Sequence, residues 1–208
     1  MWKAKVLGGG EQDLRSAIEM IENVEASGVR LLDDYRSVFD NDNKKNNEII
    51  FSFYMERYET GNLSIASNTT SRTDNLSMAV NLTDAATSPN NSRHVYAPSE
   101  KVRSLYLKNK GDVRMDVALI DMIDKDGNTI LTQTNKFRGK DYTDDRYFDD
   151  DLIVYRWADL LLLRAEAYAA LGETAKAIAD LDQIRNRAGL QGYSGHEDRA
   201  KTRKGNLR

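Results

Sequence analysis

The stretch LIVYRWADLLLLRAEAYAALGETAKAIADLDQIRNRAGL, residues 152–190, decides the fold. It predicts one helix over 156–171 that stops at Gly172. A second helix over 174–188 stops at Gly189. Glycine enters the left-handed conformation that closes a helix at little steric cost, so both stops have a physical cause. Only two or three residues connect the helices, so they must fold back as an antiparallel hairpin. Ala175, Ile178, Leu181, Asp182 and Ile184 form the stripe expected to face Leu160, Leu163, Ala167 and Leu171. Trp157 is expected in the core.

Upstream, residues 11–26 carry Leu14, Ala17, Ile18, Ile21 and Val24 at helical spacing, with Gly28 placed to end that helix. Leu31, Leu32, Tyr35, Val38 and Phe39 predict a short helix or turn packed on it, giving a helical segment over 11–39. Ile49, Ile50, Phe51 and Phe53 predict a short strand. About half of residues 61–92 are Asn, Ser or Thr. Their apolar residues have no period, which predicts an exposed surface loop. The N-x-S/T triplets beginning at Asn62, Asn68, Asn75, Asn81 and Asn90 follow from that composition rather than from a glycosylation signal. Pro98 and Ser99 open another helix, with Ser99 as its cap and Val102, Leu105, Tyr106 and Leu107 as its apolar face. Asp126-Gly127 marks the turn of a β-hairpin over 117–136.

Composition narrows the chemistry. The 208 residues are 40% hydrophobic and 30% charged, with a net charge of -3. So balanced a charge gives no reason to expect a nucleic-acid partner. Without cysteine there is no disulfide, thiolate nucleophile or cysteine-held metal. No window approaches a membrane-spanning length, and the start lacks the apolar core of an export signal. Any such signal is expected upstream, and both ends read as cuts in a longer protein. His94 and His196 stand far apart, and His196-Glu197 lacks a second histidine at metalloprotease spacing. Asp124, Asp126 and Asn128 imitate the start of a calcium loop. Position six lacks glycine and position twelve is Asn135, so a hairpin turn explains them better. Asp144, Asp145, Asp149, Asp150 and Asp151 read as a solvated acidic loop. Gly8 to Gly10 read as a flexible join. No cofactor is expected, and no metal.

The hairpin resembles a tetratricopeptide unit, with A-E-A-Y, then L-G, then A-x-x-D-L. Small residues there let two helix backbones approach closely. The unit does not recur at the adjacent 34-residue period such arrays need. Other signatures are more specific. Y-R-W-A-D-L-L-L-L-R-A-E-A (155–167) and I-R-N-R-A-G (184–189) resemble paired elements of the SusD/RagB family. N-E-I-I-F (47–51), after S-G-V-R-L-L-D-D-Y-R-S-V-F (27–39), resembles that family's helix-then-strand element. Y-A-P-S-E-K-V and K-G-D-V-R follow in the family's order, so the resemblance spans nearly the whole chain. It implies a mainly α fold of tetratricopeptide-like helical hairpins with long loops and a small β-hairpin. Residues 1–208 would then be part of one SusD-like domain. It also implies a non-enzymatic glycan-binding protein on the outer face of the outer membrane. There the protein would pass oligosaccharides to a SusC-like TonB-dependent transporter. The family's lipidated cysteine, first helices and closing acidic run fall outside this chain, so membrane attachment is expected through an anchor outside it.

Sugar rings present an apolar C–H face and a rim of hydroxyls, which aromatic platforms and polar side chains read together. Two clusters have that composition: Tyr54, Arg57 and Tyr58 beyond the strand, and Tyr142, Arg146 and Tyr147 before the hairpin. Arg156 and Asp159, one turn apart, read as a structural ion pair, with Glu166 part of the same A-E-A helix motif. Two other readings stay open: a tetratricopeptide-type scaffold binding peptides, and a glycosidase with a helical domain.

Overall fold

The computed structural model describes residues 10–58, 97–141, 146–147 and 149–195. The expected loop over 61–92, His94, His196, Asp144 and Asp145 lie outside the described residues. The chain is mainly helical and divides into two compact units. None of the described helices is long and apolar enough to cross a membrane.

The first unit comprises Met1–Asp33, Asn47–Phe51 and Tyr155–Arg208. Helix α1 (Glu11–Glu25) begins after Gly10 with Glu11 and Asp13 in its first turn, where acidic side chains favour the helix dipole. It ends just before Gly28, whose φ is +93°. The two predicted helices of the hairpin, here named α4 (Trp157–Leu171) and α5 (Thr174–Arg187), lie within a residue or so of their expected limits. Gly172 closes α4 at φ +80°. Cross-pairs such as Arg164 with Asp180 and Leu161 with Ile184 sum to nearly the same number, so the helices run antiparallel.

Two apolar clusters hold this unit. Ile21, Trp157, Ala158, Leu161 and Ile184 form one, with Val29, Leu31, Leu160 and Leu163 packed around it. Ile18, Ala167 and Tyr168 form the other, with Leu14, Leu171 and Ala177. Ala158, Ala167 and Ala188 are buried, as close backbone approach requires. One expected stripe residue is corrected: Ala175 is exposed, and Ala177 packs inward instead. A shift of two positions turns a residue by more than half a helical circuit.

The second unit comprises Asp34–Asn46 and Ser52–Val154. Two 3-10 turns, Arg36–Phe39 and Asn41–Asn43, replace the short helix expected at 31–39. Tyr35 and Phe39 meet edge to face at 5.3 Å, and Phe39 meets Phe137 at 6.0 Å. Helix α2 (Glu100–Lys108) is capped by Ser99, whose hydroxyl accepts from the Val102 amide. Its predicted apolar face is corrected, because Val102, Leu105 and Leu107 are exposed. The helix is held instead by Arg103, which forms a forked pair with Asp121 at 2.7–3.1 Å.

Strands β2 (Leu119–Ile123) and β3 (Thr129–Thr134) form the antiparallel hairpin, with Leu119 opposite Thr134. Residues ahead of Leu119, expected to extend the first strand, form a short helix, α3 (Arg114–Ala118). The Asp112 carboxylate accepts from the Arg114 amide at 3.0 Å and starts that turn. At the hairpin tip Asp124 accepts from the amides of Asp126 and Asn128, and Gly127 takes φ +82°. The calcium-like spacing is therefore turn chemistry. β4 (Lys140–Asp141) pairs with β5 (Arg146–Tyr147). The strand predicted around residues 49–53, β1 (Ile49–Phe53), pairs with β6 (Leu152–Arg156).

Candidate ligand-binding site

Tyr54, Arg57 and Tyr58 follow β1 directly, and buried polar groups fix the segment that carries them. Asp151 accepts from the Met55 amide at 3.1 Å and from the Ser52 hydroxyl at 3.3 Å. Lys44 donates to the Met55 carbonyl at 2.7 Å and lies 3.9 Å from the Asp151 carboxylate. The backbone leaving the strand is thus clamped on both sides. The rings beyond it reach solvent: Tyr54 is 44% exposed and Tyr58 78% exposed.

Polar groups surround those rings. The Lys45 ammonium lies 4.9 Å from the Tyr54 centroid and Lys44 lies 5.5 Å away. The Tyr54 hydroxyl donates to the Glu56 carboxylate. The Arg57 guanidinium lies 4.5 Å from the Tyr58 centroid. Such cation–ring contacts hold exposed rings in place and leave charged and hydroxyl groups at their margins. Lys45 and Tyr58 also take positive φ, +56° and +69°. Residues with side chains rarely adopt that conformation, and strained backbone concentrates at sites of function.

The other predicted cluster is not assembled among the described residues. Tyr142 lies outside them. Arg146 and Tyr147 are described only as backbone, opposite Asp141 and Lys140 in the β4–β5 pair. Arg156 and Asp159 do meet. Arg156 caps α4, its amide donating to Asp159 at 3.3 Å and its guanidinium lying 3.4 Å away. Glu166 is partly buried on the same helix.

The reading of Asp149, Asp150 and Asp151 as solvated is corrected: all three are buried. Asp149 accepts from Asn41 at 2.9 Å, and Asp150 from the Gly139 amide at 2.7 Å. Burial pushes the Asp150 carboxyl up to about 6. Neighbouring segments supply the hydrogen bonds that water would otherwise give, which the local composition cannot reveal.

Sequence reasoning also missed two buried ion networks in the first unit. Arg164 forks onto Asp180 with two 2.8 Å bonds and reaches Glu25 at 2.5 Å. Those hydrogen bonds raise the Arg164 guanidinium further above its usual range. Glu48, fully buried, accepts from Arg187 at 2.5 Å and from the Leu32 amide at 3.0 Å, with Arg156 3.6 Å away. A signal existed for Arg164. Trp157, Leu161, Arg164 and Tyr168 share one stripe at spacings of four, three and four, so the arginine falls on the buried face. Nothing local marks Glu48.

The sequence model of the SusD family matches residues 22–207. A SusD superfamily protein of Bacteroides fragilis aligns at 25% identity and TM-score 0.80, covering 91% of this chain and 43% of that one. NanU of B. fragilis aligns at 28% identity and TM-score 0.73, covering 99% and 43%. Surface glycan-binding protein A from Bacteroides uniformis shares the fold at 17% identity and TM-score 0.67, covering 89% and 40%. The chain spans less than half the length of these structures. No match arises among curated protein sequences.

Proposed function

This chain belongs to the SusD family, and from that premise we propose that it forms part of a protein that captures oligosaccharides at the cell surface. The family match over residues 22–207 carries this reading. The name of the B. uniformis neighbour, a surface glycan-binding protein, accords with it. In this reading the whole protein sits on the outer membrane and hands its ligand to a SusC-like TonB-dependent transporter. It binds and releases glycan without cleaving it, and residues 1–208 contribute part of one SusD-like domain.

Tyr54, Arg57 and Tyr58 are the residues assigned to the ligand. The two rings would cover C–H faces of pyranoses, while Arg57 and Glu56 would read hydroxyls. Tyr142, Arg146 and Tyr147 would supply a second platform. The test is calorimetric titration of the full-length protein against oligosaccharides selected on a glycan array. Tyr54→Ala with Tyr58→Ala should weaken binding about tenfold, the loss of roughly 1–2 kcal/mol of ring contact. Unchanged affinity in a variant that melts like wild type would remove these rings from the site. Binding of peptides with no glycan bound would overturn the sugar reading.

A further inference from the structure

We propose that the pocket walled by Arg36, Phe39, Asp40, Lys136, Gly139 and Asp150 binds a single ring of a neutral polyol through adjacent hydroxyl groups. This pocket lies within the second unit and has a volume of about 290 Å³. That is the lower end of the range for small-molecule sites, roughly 300–1,000 Å³, and suits one ring rather than a chain.

Two unsatisfied polar atoms specify the ligand chemistry. Arg36 donates from Nη2 to the Asp116 carbonyl at 2.9 Å, whereas its buried Nη1 has no hydrogen-bond partner among the described residues. Asp150 is 3% exposed. Its Oδ2 accepts from the Gly139 amide at 2.7 Å, whereas its buried Oδ1 has no partner among the described residues. One wall therefore offers a spare donor and another a spare acceptor. Buried polar groups without partners are uncommon and costly, so a ligand that satisfies both is favoured.

The other charges select against ions. A cation suited to Asp150 would face Arg36, Lys136, Arg138 and Lys140, which line the same pocket. An anion suited to Arg36 would face Asp40, Asp42 and Asp150. Several of those charges already have company. Lys140 bonds Asp42, Asp40 accepts from the Asp42 amide at 3.0 Å, and the Lys136 ammonium stands 4.5 Å from the Phe39 centroid. A hydroxyl both donates and accepts, so two neighbouring hydroxyls answer Arg36 and Asp150 together without net charge. Phe39, wedged edge to face against Tyr35 and Phe137, gives that wall rigidity.

The pocket does not depend on Tyr54 and Tyr58, and its test separates the two sites. The chain is titrated by NMR with myo-inositol and D-glucose, and separately with sodium phosphate and calcium chloride. The two polyols should bind in competition with each other and shift the Gly139 amide, which is bonded to Asp150. Asp150→Asn and Arg36→Met should each weaken polyol binding on the order of tenfold. Tyr54→Ala with Tyr58→Ala should leave it unchanged. No polyol-induced shift at Gly139 in the wild type overturns the assignment, whether or not the variants fold. So does phosphate or calcium binding in place of the polyols, or wild-type affinity in a folded Asp150→Asn protein.

Discussion

Replacing Arg164 by Met should be among the most damaging single changes in the first unit. The Arg164 and Asp180 side chains are 8% and 6% exposed, and two 2.8 Å bonds join them. Glu25 adds a third contact at 2.5 Å, but its side chain is 46% exposed, so water screens that pair. Methionine matches much of the arginine stem and leaves the Asp180 carboxylate buried, with Gln183 at 3.3 Å as its remaining side-chain donor. Breaking one side of a buried pair typically costs about 3–5 kcal/mol, because the orphaned charge keeps its desolvation penalty. In a chain of this size that lowers the melting temperature by about 10 °C. The double variant Arg164→Met with Asp180→Leu removes both charges and should recover most of the loss. Urea unfolding of wild type, both single variants and the double variant measures the coupling directly. If Arg164→Met stays within about 1 kcal/mol of wild type, the buried pair is not what ties α1, α4 and α5 together.

Ala167 has no exposed surface between α1 and α4, so Ala167→Leu should overpack that contact and cost about 1–3 kcal/mol; a wild-type melt would refute the packing. Gly172→Ala should cost about 1 kcal/mol, seen as a lower denaturation midpoint. An added Cβ meets nothing within 4 Å there, so the cost comes from the backbone at φ +80°. For Asp150 the native carboxyl is pushed up from 3.8 to about 6. Between those pH values the native state keeps a proton that the unfolded chain has lost, so stability falls as pH rises from about 4 to 6. Asp150→Asn should remove that decline and gain up to about 3 kcal/mol at pH 7. Asp40, Asp42 and Asp149 belong to the same neighbourhood, and the wild-type-minus-variant difference cancels their contribution. Parallel stability curves for the two proteins from pH 4 to 6 would show that Asp150 does not titrate in this way.

What the sequence determined by itself was the local architecture and, through ordered motifs, the family. Gly172 and Gly189 ended the two helices where a left-handed residue was needed. Ser99 capped α2, and Asp126-Gly127 turned the hairpin, because each signal acts within a few residues of itself. The Tyr54–Tyr58 segment was legible as exposed aromatic chain beyond a strand, although the residues that clamp it were not. Only the tertiary structure decided which charges are buried. Glu48 meets Arg187 across 139 positions, Met55 meets Asp151 across 96, and Asn41 meets Asp149 across 108. It also decided that α2 leaves Val102, Leu105 and Leu107 in solvent while Arg103 anchors it to Asp121. A carboxylate is stable inside a protein only when partners replace its lost water. Those partners arrive from distant parts of the chain, so burial of a charge is a property of the assembled fold and leaves no mark on the residues beside it.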